Sequence, residues 1–242
     1  MKLETSNKDF LNVLEVSSKL LDEVKLECDN DGLRFSGLDK SHICFYNADF
    51  DKSYFDSYEC PVPESLFIDT MELVKVLKRM KSDDRLLLVS DAYNLTVIFE
   101  GEATRTFNVR LIDGDYTSPS MPRLEPPNQD VMVDFNEFII ALKDTSLYSD
   151  KVSLSMINDE FIVSCDGEYG SYESKILVPC NTQEARSVFS LDFLNRFTGL
   201  GKLSSTVYIG LGDDMPLILL VQDLLETVKV RVLLAPRIES DY

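Results

Sequence analysis

Apolar positions along this chain keep two different periods, and the same switch between them occurs twice. Phe10, Val13, Leu14, Ser17 and Leu20/Leu21 recur at helical spacing, with Asp9 placed where a helix N-terminus favours a carboxylate. The period then drops to two: Val24, Leu26 and Cys28 alternate with polar residues, Asn30-Asp31-Gly32 predicts a turn, and Leu33-Arg34-Phe35 a returning strand. The stretch Glu137–Ser164 repeats Asp9–Ser36 without a gap, so that Phe10 falls on Phe138, 128 residues later, Leu14 on Leu142, Asp22 on Asp150, Leu26 on Leu154 and Ser36 on Ser164. Each copy reads helix, strand, turn, strand. A unit with one apolar helix stripe and one apolar sheet face needs a second layer to bury them.

The remainder continues the duplication. Gly37–Tyr46 reads as a turn and an apolar strand, Asn47–Tyr58 is aromatic and acidic, and Pro61 and Pro63 break it. Asp69–Met80 reads as a second helix, with Met71, Leu73, Val74 and Leu77 on one face and Lys75, Lys78 and Arg79 on the other. Leu86–Val89 and Leu95–Phe99 form a predicted hairpin, and Arg105–Leu111 alternates. Residues 112–129 hold Gly114, Pro119, Pro122, Pro126 and Pro127, too much proline for a helix or a central strand. The repeat resumes with Val131–Val133 and a helix at Asn136–Tyr148. Ser190–Phe197 then matches Thr70–Leu77 at an offset of 120, and Thr206–Gly210 with Leu217–Val221 matches the hairpin. The expected organisation is α+β: similar domains at 1–113 and 129–242, joined by a linker at 114–128.

Bulk properties narrow the class. The 242 residues suffice for two domains, and an apolar share of 44% suits packed globules. No stretch approaches the roughly 20 apolar residues of a membrane span, and Met1-Lys2-Leu3-Glu4 lacks a signal-peptide profile; a soluble intracellular protein is expected. Cys28, Cys44, Cys60, Cys165 and Cys180 include no C-x-x-C pair, and their strand-like settings predict reduced, buried thiols. The net charge of −18 argues against nucleic-acid binding by the whole surface, leaving a local basic face open.

Catalytic chemistry finds little to stand on. No phosphate loop is present, and Gly199-Leu200-Gly201-Lys202 reads as a helix end. With His42 the single histidine, a His-based triad or multi-histidine metal site is excluded. The carboxylate pairs Asp49/Asp51, Asp83/Asp84, Asp113/Asp115 and Asp213/Asp214 each sit at an expected turn or on a polar strand edge, where Asp is common for turn reasons alone. A carboxylate-dependent metal hydrolase is the enzymatic alternative; no catalytic residue, metal or cofactor is expected. Lys75, Lys78, Arg79 and Lys81 cluster in a window, Leu73–Lys81, that holds no acid; Lys143, Lys151, Arg196 and Lys202 lie on or just after other helices. These cations are either solvated helix faces or phosphate contacts.

Several motifs, in order, resemble one family. Gly37-Leu38-Asp39-Lys40-Ser41-His42-Ile43, Leu194-Asn195-Arg196-Phe197-Thr198, Leu203-Ser204-Ser205-Thr206-Val207, Met215-Pro216-Leu217 and Leu234-Ala235-Pro236-Arg237-Ile238-Glu239 resemble the DNA sliding clamps called proliferating cell nuclear antigen, in their archaeal and eukaryotic form. The resemblance runs end to end, with Asn47–Phe67 and the linker tip the poorest matches.

It implies two domains of the DNA-clamp fold, helices lining a central hole, antiparallel sheets outside, and a ring-shaped trimer closed by heterologous contacts. The implied function is a polymerase processivity factor that encircles duplex DNA without sequence preference and docks replication and repair proteins. Lys75, Lys78 and Lys143 correspond to hole-lining residues; Lys8, Lys19, Arg79, Lys81, Lys151, Arg196 and Lys202 complete the expected DNA-facing set, with Glu15, Asp22 and Glu23 diluting the first helix. Leu38, His42, Ile43, Phe45, Met121, Leu124, Pro216, Leu217, Ala235 and Pro236 match the family's pocket for peptides carrying a glutamine, an aliphatic residue and two aromatics, through which polymerase, clamp loader, flap endonuclease and ligase would dock. The tail Arg237–Tyr242 could add strand-like bonds. Subunits are expected to join by pairing Thr104–Leu111 with Tyr172–Pro179 of the next chain. That joint involves Arg105, Phe107, Val109, Arg110, Glu173, Lys175 and Leu177, with Arg105 and Arg110 facing Glu173 and Glu168. An ATP-driven loader would open the ring, inside the cell: nucleoid if archaeal, nucleus if eukaryotic. Two other readings stand beside this one, a subunit of a hetero-oligomeric or checkpoint clamp and an acidic adaptor that binds only proteins.

Overall fold

The computed structural model describes residues 1–114, 117, 119–178 and 182–237. Asp115, Cys180, Pro179 and the tail beyond Arg237 lie outside the described residues. The chain divides into two units. The first holds Met1–Lys40, Tyr46–Ser120 and Asp223–Lys229; the second holds Ser41–Phe45, Met121–Gln222 and the chain from Val230.

The chain order begins β1 (Lys2–Thr5), α1 (Asp9–Ser17), β2 (Glu23–Cys28), β3 (Gly32–Leu38), β4 (Cys44–Asp51), β5 (Ser57–Glu59), β6 (Glu64–Asp69), α2 (Thr70–Leu77), β7 (Arg85–Ser90), β8 (Asn94–Glu100) and β9 (Arg105–Arg110). It continues β10 (Asn128–Asp134), α3 (Phe135–Thr145), β11 (Lys151–Ile157), β12 (Glu160–Gly167), β13 (Gly170–Leu177), β14 (Ala185–Ser190), α4 (Leu191–Phe197), β15 (Thr206–Leu211), β16 (Leu217–Gln222) and β17 (Val228–Leu234). A 3-10 helix, Thr198–Lys202, follows α4 directly, so the Gly199–Lys202 stretch is a helix end.

Strand order shows the duplication more plainly than sequence does. In the first unit β1, β7, β8 and β9 neighbour in that order, with β5 added beyond β1; in the second, β10, β15, β16 and β17 do the same. The run β4-β3-β2-β6 of the first unit corresponds to β13-β12-β11-β14 of the second. β2 starts at residue 23 and β11 at 151, which keeps the 128-residue offset. The helix caps Asp69 and Ser190 stand 121 apart, one more than the sequence register for α2 and α4. Buried Val74 and Leu77 still match buried Leu194 and Phe197 at 120. The helices therefore differ by one residue at their starts and agree where they pack.

Helix faces follow spacing. In α2 the buried positions are Thr70, Leu73, Val74 and Leu77, an i, i+3, i+4, i+7 stripe. Met71, expected on that face, falls outside the stripe and is exposed. Asp69 caps α2 by accepting from the Glu72 N–H at 2.9 Å, and Asp134 caps α3 by accepting from the Asn136 and Glu137 N–H groups at 2.9 and 3.1 Å. Helix α1 has no side-chain cap at Lys8; the Asn7 side chain accepts from the Asp9 N–H instead. Between β11 and β12 the turn Asn158-Asp159 has φ of 52° and 60°, the paired left-handed residues of a tight hairpin whose twist matches its strands.

The aromatic stretch after β4 belongs to the core. Phe50 meets Phe10 edge-on at 5.4 Å and Tyr54 at 5.1 Å, and the Tyr54 hydroxyl accepts from the Phe10 N–H. Three strands go beyond the sequence expectation. β1 pairs with both β5 and β7, though its four residues carry one buried apolar side chain, Leu3. β6 and β14 each lead straight into a helix, and their short alternation is hidden by the adjoining helical pattern.

Cys28, Cys44, Cys60 and Cys165 are free and buried, in line with expectation. Burial pushes the Cys28 thiol up from 9.0 to about 12. The raised native value fixes the sign: the thiol's contribution is intact below pH 9.0, where both states are protonated, and declines as pH rises towards 12, because only the unfolded chain then gives up the proton. Alkaline melts should therefore lose stability above pH 9 with a slope of up to about 1.4 kcal/mol per pH unit from this group. Cys28→Ala should flatten that slope; an unchanged slope refutes the assignment.

Candidate functional site

Helix α1 packs against α2 in the first unit, and α3 against α4 in the second. Their apolar stripes rest on strands, α2 on β2, β6 and β9, and α3 on β10, β12, β13 and β15. The opposite faces carry the expected cations. On α2 this is Lys75, with Lys78 capping its C-terminus and Arg79 and Lys81 following; on α3 it is Lys143, in a stripe with Asn136 and Ile140. Lys151 begins β11, Lys202 closes the 3-10 helix, and Lys8 and Lys19 flank α1.

The acid-free window does not translate into an acid-free face. Lys75 pairs with Glu72 at 2.5 Å, just upstream of the window, and Lys78 pairs with Glu15 of α1 at 2.8 Å. Arg196 pairs with Asp192 at 2.6 Å and lies 4.5 Å over the Phe193 ring. Pairings across helices and within one turn supply acids that a linear count misses. Exposed pairs of this kind are worth about 0–1 kcal/mol and exchange readily for a phosphate. Among the described residues the side chains of Lys8, Arg79, Lys81, Lys143 and Lys151 have no such partner.

In the second unit a cleft of about 390 Å³ is lined by Met121, Pro122, Arg123, Leu124, Glu125, Gln129, Asp130, Gly210, Ile218 and Arg231. The linker forms one wall and strands β15 to β17 the other; Arg231 reaches Met121 Sδ at 3.7 Å. Met121 and Leu124 come from the expected docking set. Gly210, Ile218 and Arg231 were not anticipated. A signal existed: β16 reads Leu217-Ile218-Leu219-Leu220-Val221, apolar on both faces, so something must cover its outer side. Of the other docking positions, His42 and Ile43 are exposed and the Ile43 carbonyl accepts from the Ala235 N–H at 2.8 Å. Pro216, Ala235 and Pro236 are half-buried, and Leu38 is exposed on the first unit. Phe45 and Leu217 are 3% and 0% exposed, so they support this surface from beneath and cannot touch a docked peptide without rearrangement.

Strands β9 and β13 end their sheets, each paired on one side, to β8 and to β12. On β13 Glu173, Lys175 and Leu177 are exposed, while Ile176 points inward. On β9 Arg110 is exposed, Phe107 half-buried against Phe99 and Val109 buried. Arg105 departs from expectation. Its guanidinium is engaged inside its own chain, paired with Asp84 and stacked over Phe99 at 5.1 Å, so it is not held out towards a neighbour.

Members of the carboxylate pairs hold neighbouring protein groups. Asp51 accepts from the Ser53 hydroxyl and N–H, which lower its pKa, Asp213 accepts from the Arg186 N–H, and Asp84 binds Arg105. No group of three or more potential metal ligands occurs among the described residues. Among the described residues no helix is long and apolar enough to cross a membrane.

A duplicated α+β chain with β9 and β13 ending their sheets, a cation-bearing helix face in each unit and a cleft of mixed apolar and charged lining beneath a linker has the construction of an assembly and docking protein. Comparison with known proteins agrees. The family model described as proliferating cell nuclear antigen, N-terminal domain, matches residues 3–117. A DNA polymerase sliding clamp from Methanobrevibacter smithii is 42% identical, covering 99% of both chains, and one from Pyrococcus furiosus is 32% identical, covering 96% of both. Among solved structures, PCNA from Thermococcus kodakaraensis shares the fold at a TM-score of 0.89 and 21% identity, covering 98% of this chain and 99% of its own. PCNA from A. fulgidus, solved with the C-terminal region of FEN-1 bound, gives 0.89 at 25% identity and 99% coverage of each. The chain belongs to the proliferating cell nuclear antigen family of DNA polymerase sliding clamps, which are non-enzymatic processivity factors.

Proposed function

We propose that three copies of this chain close into a ring around duplex DNA, with domains 1–113 and 129–242 as successive arcs and 114–128 as the connecting linker. The observation that carries the reading is that β9 on one unit and β13 on the other each end a sheet, on a chain of clamp fold. An edge strand exposes unpaired N–H and C=O groups, and two different edges on one chain favour a head-to-tail joint, which gives a ring where the rotation between copies closes. Arg110, Phe107 and Val109 on β9 then lie against Glu173, Lys175 and Leu177 of the next copy.

The helix cations, Lys75, Lys78, Arg79, Lys81 and Lys143 foremost, face the DNA. Phosphate contacts position a protein without reading sequence, so the ring slides. The remaining acidic surface discourages DNA from binding outside. The cleft under the linker, with Ile43, Pro216 and Ala235, takes peptides that carry a glutamine, an aliphatic residue and aromatics; the FEN-1 segment bound to the A. fulgidus relative is the chemistry in view. Polymerase, ligase and loader would compete there. The protein would work inside the cell, with the replicating chromosome.

Sedimentation at micromolar concentration should give a trimer. After loading, the protein should stay on circular DNA and run off linear DNA. A monomer, or a species that needs a second polypeptide to close, would turn the reading towards a hetero-oligomeric clamp; retention that ignores topology would sink encirclement.

A further inference from the structure

Arg105 does something its place on the edge strand does not require. One guanidinium nitrogen donates to the Arg79 carbonyl at 2.9 Å, just past the end of α2; another pairs with Asp84. The same Asp84 oxygen accepts from the Lys81 N–H at 2.6 Å. Asp84 is 4% exposed, and a side chain at Gly101 would collide with its other oxygen. The face of Phe99, opposite Arg105 in the β8–β9 register, supports the guanidinium from below. One side chain of β9 thereby fixes both ends of the segment that carries Arg79 and Lys81, the two cations after α2 whose side chains have no described partner.

From this geometry we infer that Arg105 is a positioning residue for DNA contact: it straps the Arg79–Asp84 segment to the subunit-edge strand and holds Arg79 and Lys81 at phosphate distance. The inference rests on the DNA-facing assignment above. Arg105 itself touches no phosphate. A fork is needed, because the carbonyl and the carboxylate are met at once; an ammonium can meet one of them.

The test is duplex-DNA affinity of the assembled protein as a function of salt, for wild type, Arg79→Gln, Lys81→Gln, Arg105→Lys, and Arg105→Lys with Lys81→Gln. Each phosphate no longer neutralised should lower the slope of log K against log salt by about 0.9. Arg105→Lys keeps its charge, so a purely electrostatic or purely structural role predicts an unchanged slope. The strap predicts a fall equivalent to about one to two phosphates per subunit, and no full further fall when Lys81→Gln is added. A wild-type slope for Arg105→Lys, or full additivity with Lys81→Gln, overturns the inference. If Arg79→Gln and Lys81→Gln both leave the slope unchanged, the DNA-facing assignment has failed and not the strap alone. Arg105→Gln made together with Asp84→Asn repeats the test with no lone buried charge, should Arg105→Lys fold poorly.

Discussion

Replacing Lys75, Lys78 and Lys143 by Glu should abolish stimulation of a DNA polymerase while leaving the trimer intact. These residues lie on outward faces of α2 and α3, away from the packed stripes, so the core is untouched. Two of them already hold acids, Glu72 and Glu15, at 2.5 and 2.8 Å. Those pairs do not shield the helices from DNA, because exposed pairs contribute about 0–1 kcal/mol and a phosphate replaces the carboxylate at little cost. Reversal has a second consequence: Glu at 75 faces Glu72, and Glu at 78 faces Glu15, each costing a few tenths of a kcal/mol, about 0.2–0.5, on a helix surface. Thermal midpoints should fall by only a few degrees, with sedimentation unchanged. The salt dependence of duplex binding should flatten by about 0.9 for every phosphate the variant fails to neutralise. Gln in place of Glu should give a weaker loss in the same direction. A triple-Glu protein that still stimulates the polymerase would mean the helices face something other than DNA, and would favour the acidic adaptor.

The reach of the sequence follows from what is local and what is not. The α1-β2-β3 and α3-β11-β12 units were legible because they are continuous and align without a gap. β6 and β14 were not, since each runs directly into a helix and the two periods overlap. β1 escaped because its Lys-Leu-Glu-Thr has one apolar side chain to bury, and its place between β5 and β7 is fixed by partners more than 50 residues away. The same limit governed the sites. Lys78 looked unopposed in sequence, and Glu15, its partner, is on another helix. Arg105 looked like an interface charge, and Asp84, which claims it, is 21 residues upstream in a loop. A motif also does not say which of its residues reach the surface: Leu217 is buried, while its neighbour Ile218 lines the cleft.

Leu177→Glu should convert the trimer to monomers with little change in the stability of the subunit. Leu177 closes β13 with its side chain 84% exposed, while its neighbour Ile176 is buried, so the substitution leaves the subunit's own packing alone. An exposed substitution of this kind is usually worth within about 0.5 kcal/mol of folding stability. Leu177 leaves a large apolar side chain at the end of a strand paired on one side only, and an edge left like this invites a second strand. In the joint the leucine is covered, which is worth about 1.5–3 kcal/mol, and a carboxylate there must be desolvated without a partner. In the proposed ring three joints close the assembly, so the loss at each is counted three times in its equilibrium. Lys175→Glu on the same strand is the comparison: its ammonium already lies between Glu160 and Glu173 at 3.5 and 3.6 Å in its own chain, and reversing it should weaken the ring less. Sedimentation across a concentration series distinguishes the two. Leu177→Glu protein that remains trimeric at micromolar concentration would move the joint off β13, and with it the head-to-tail closure on which encirclement depends.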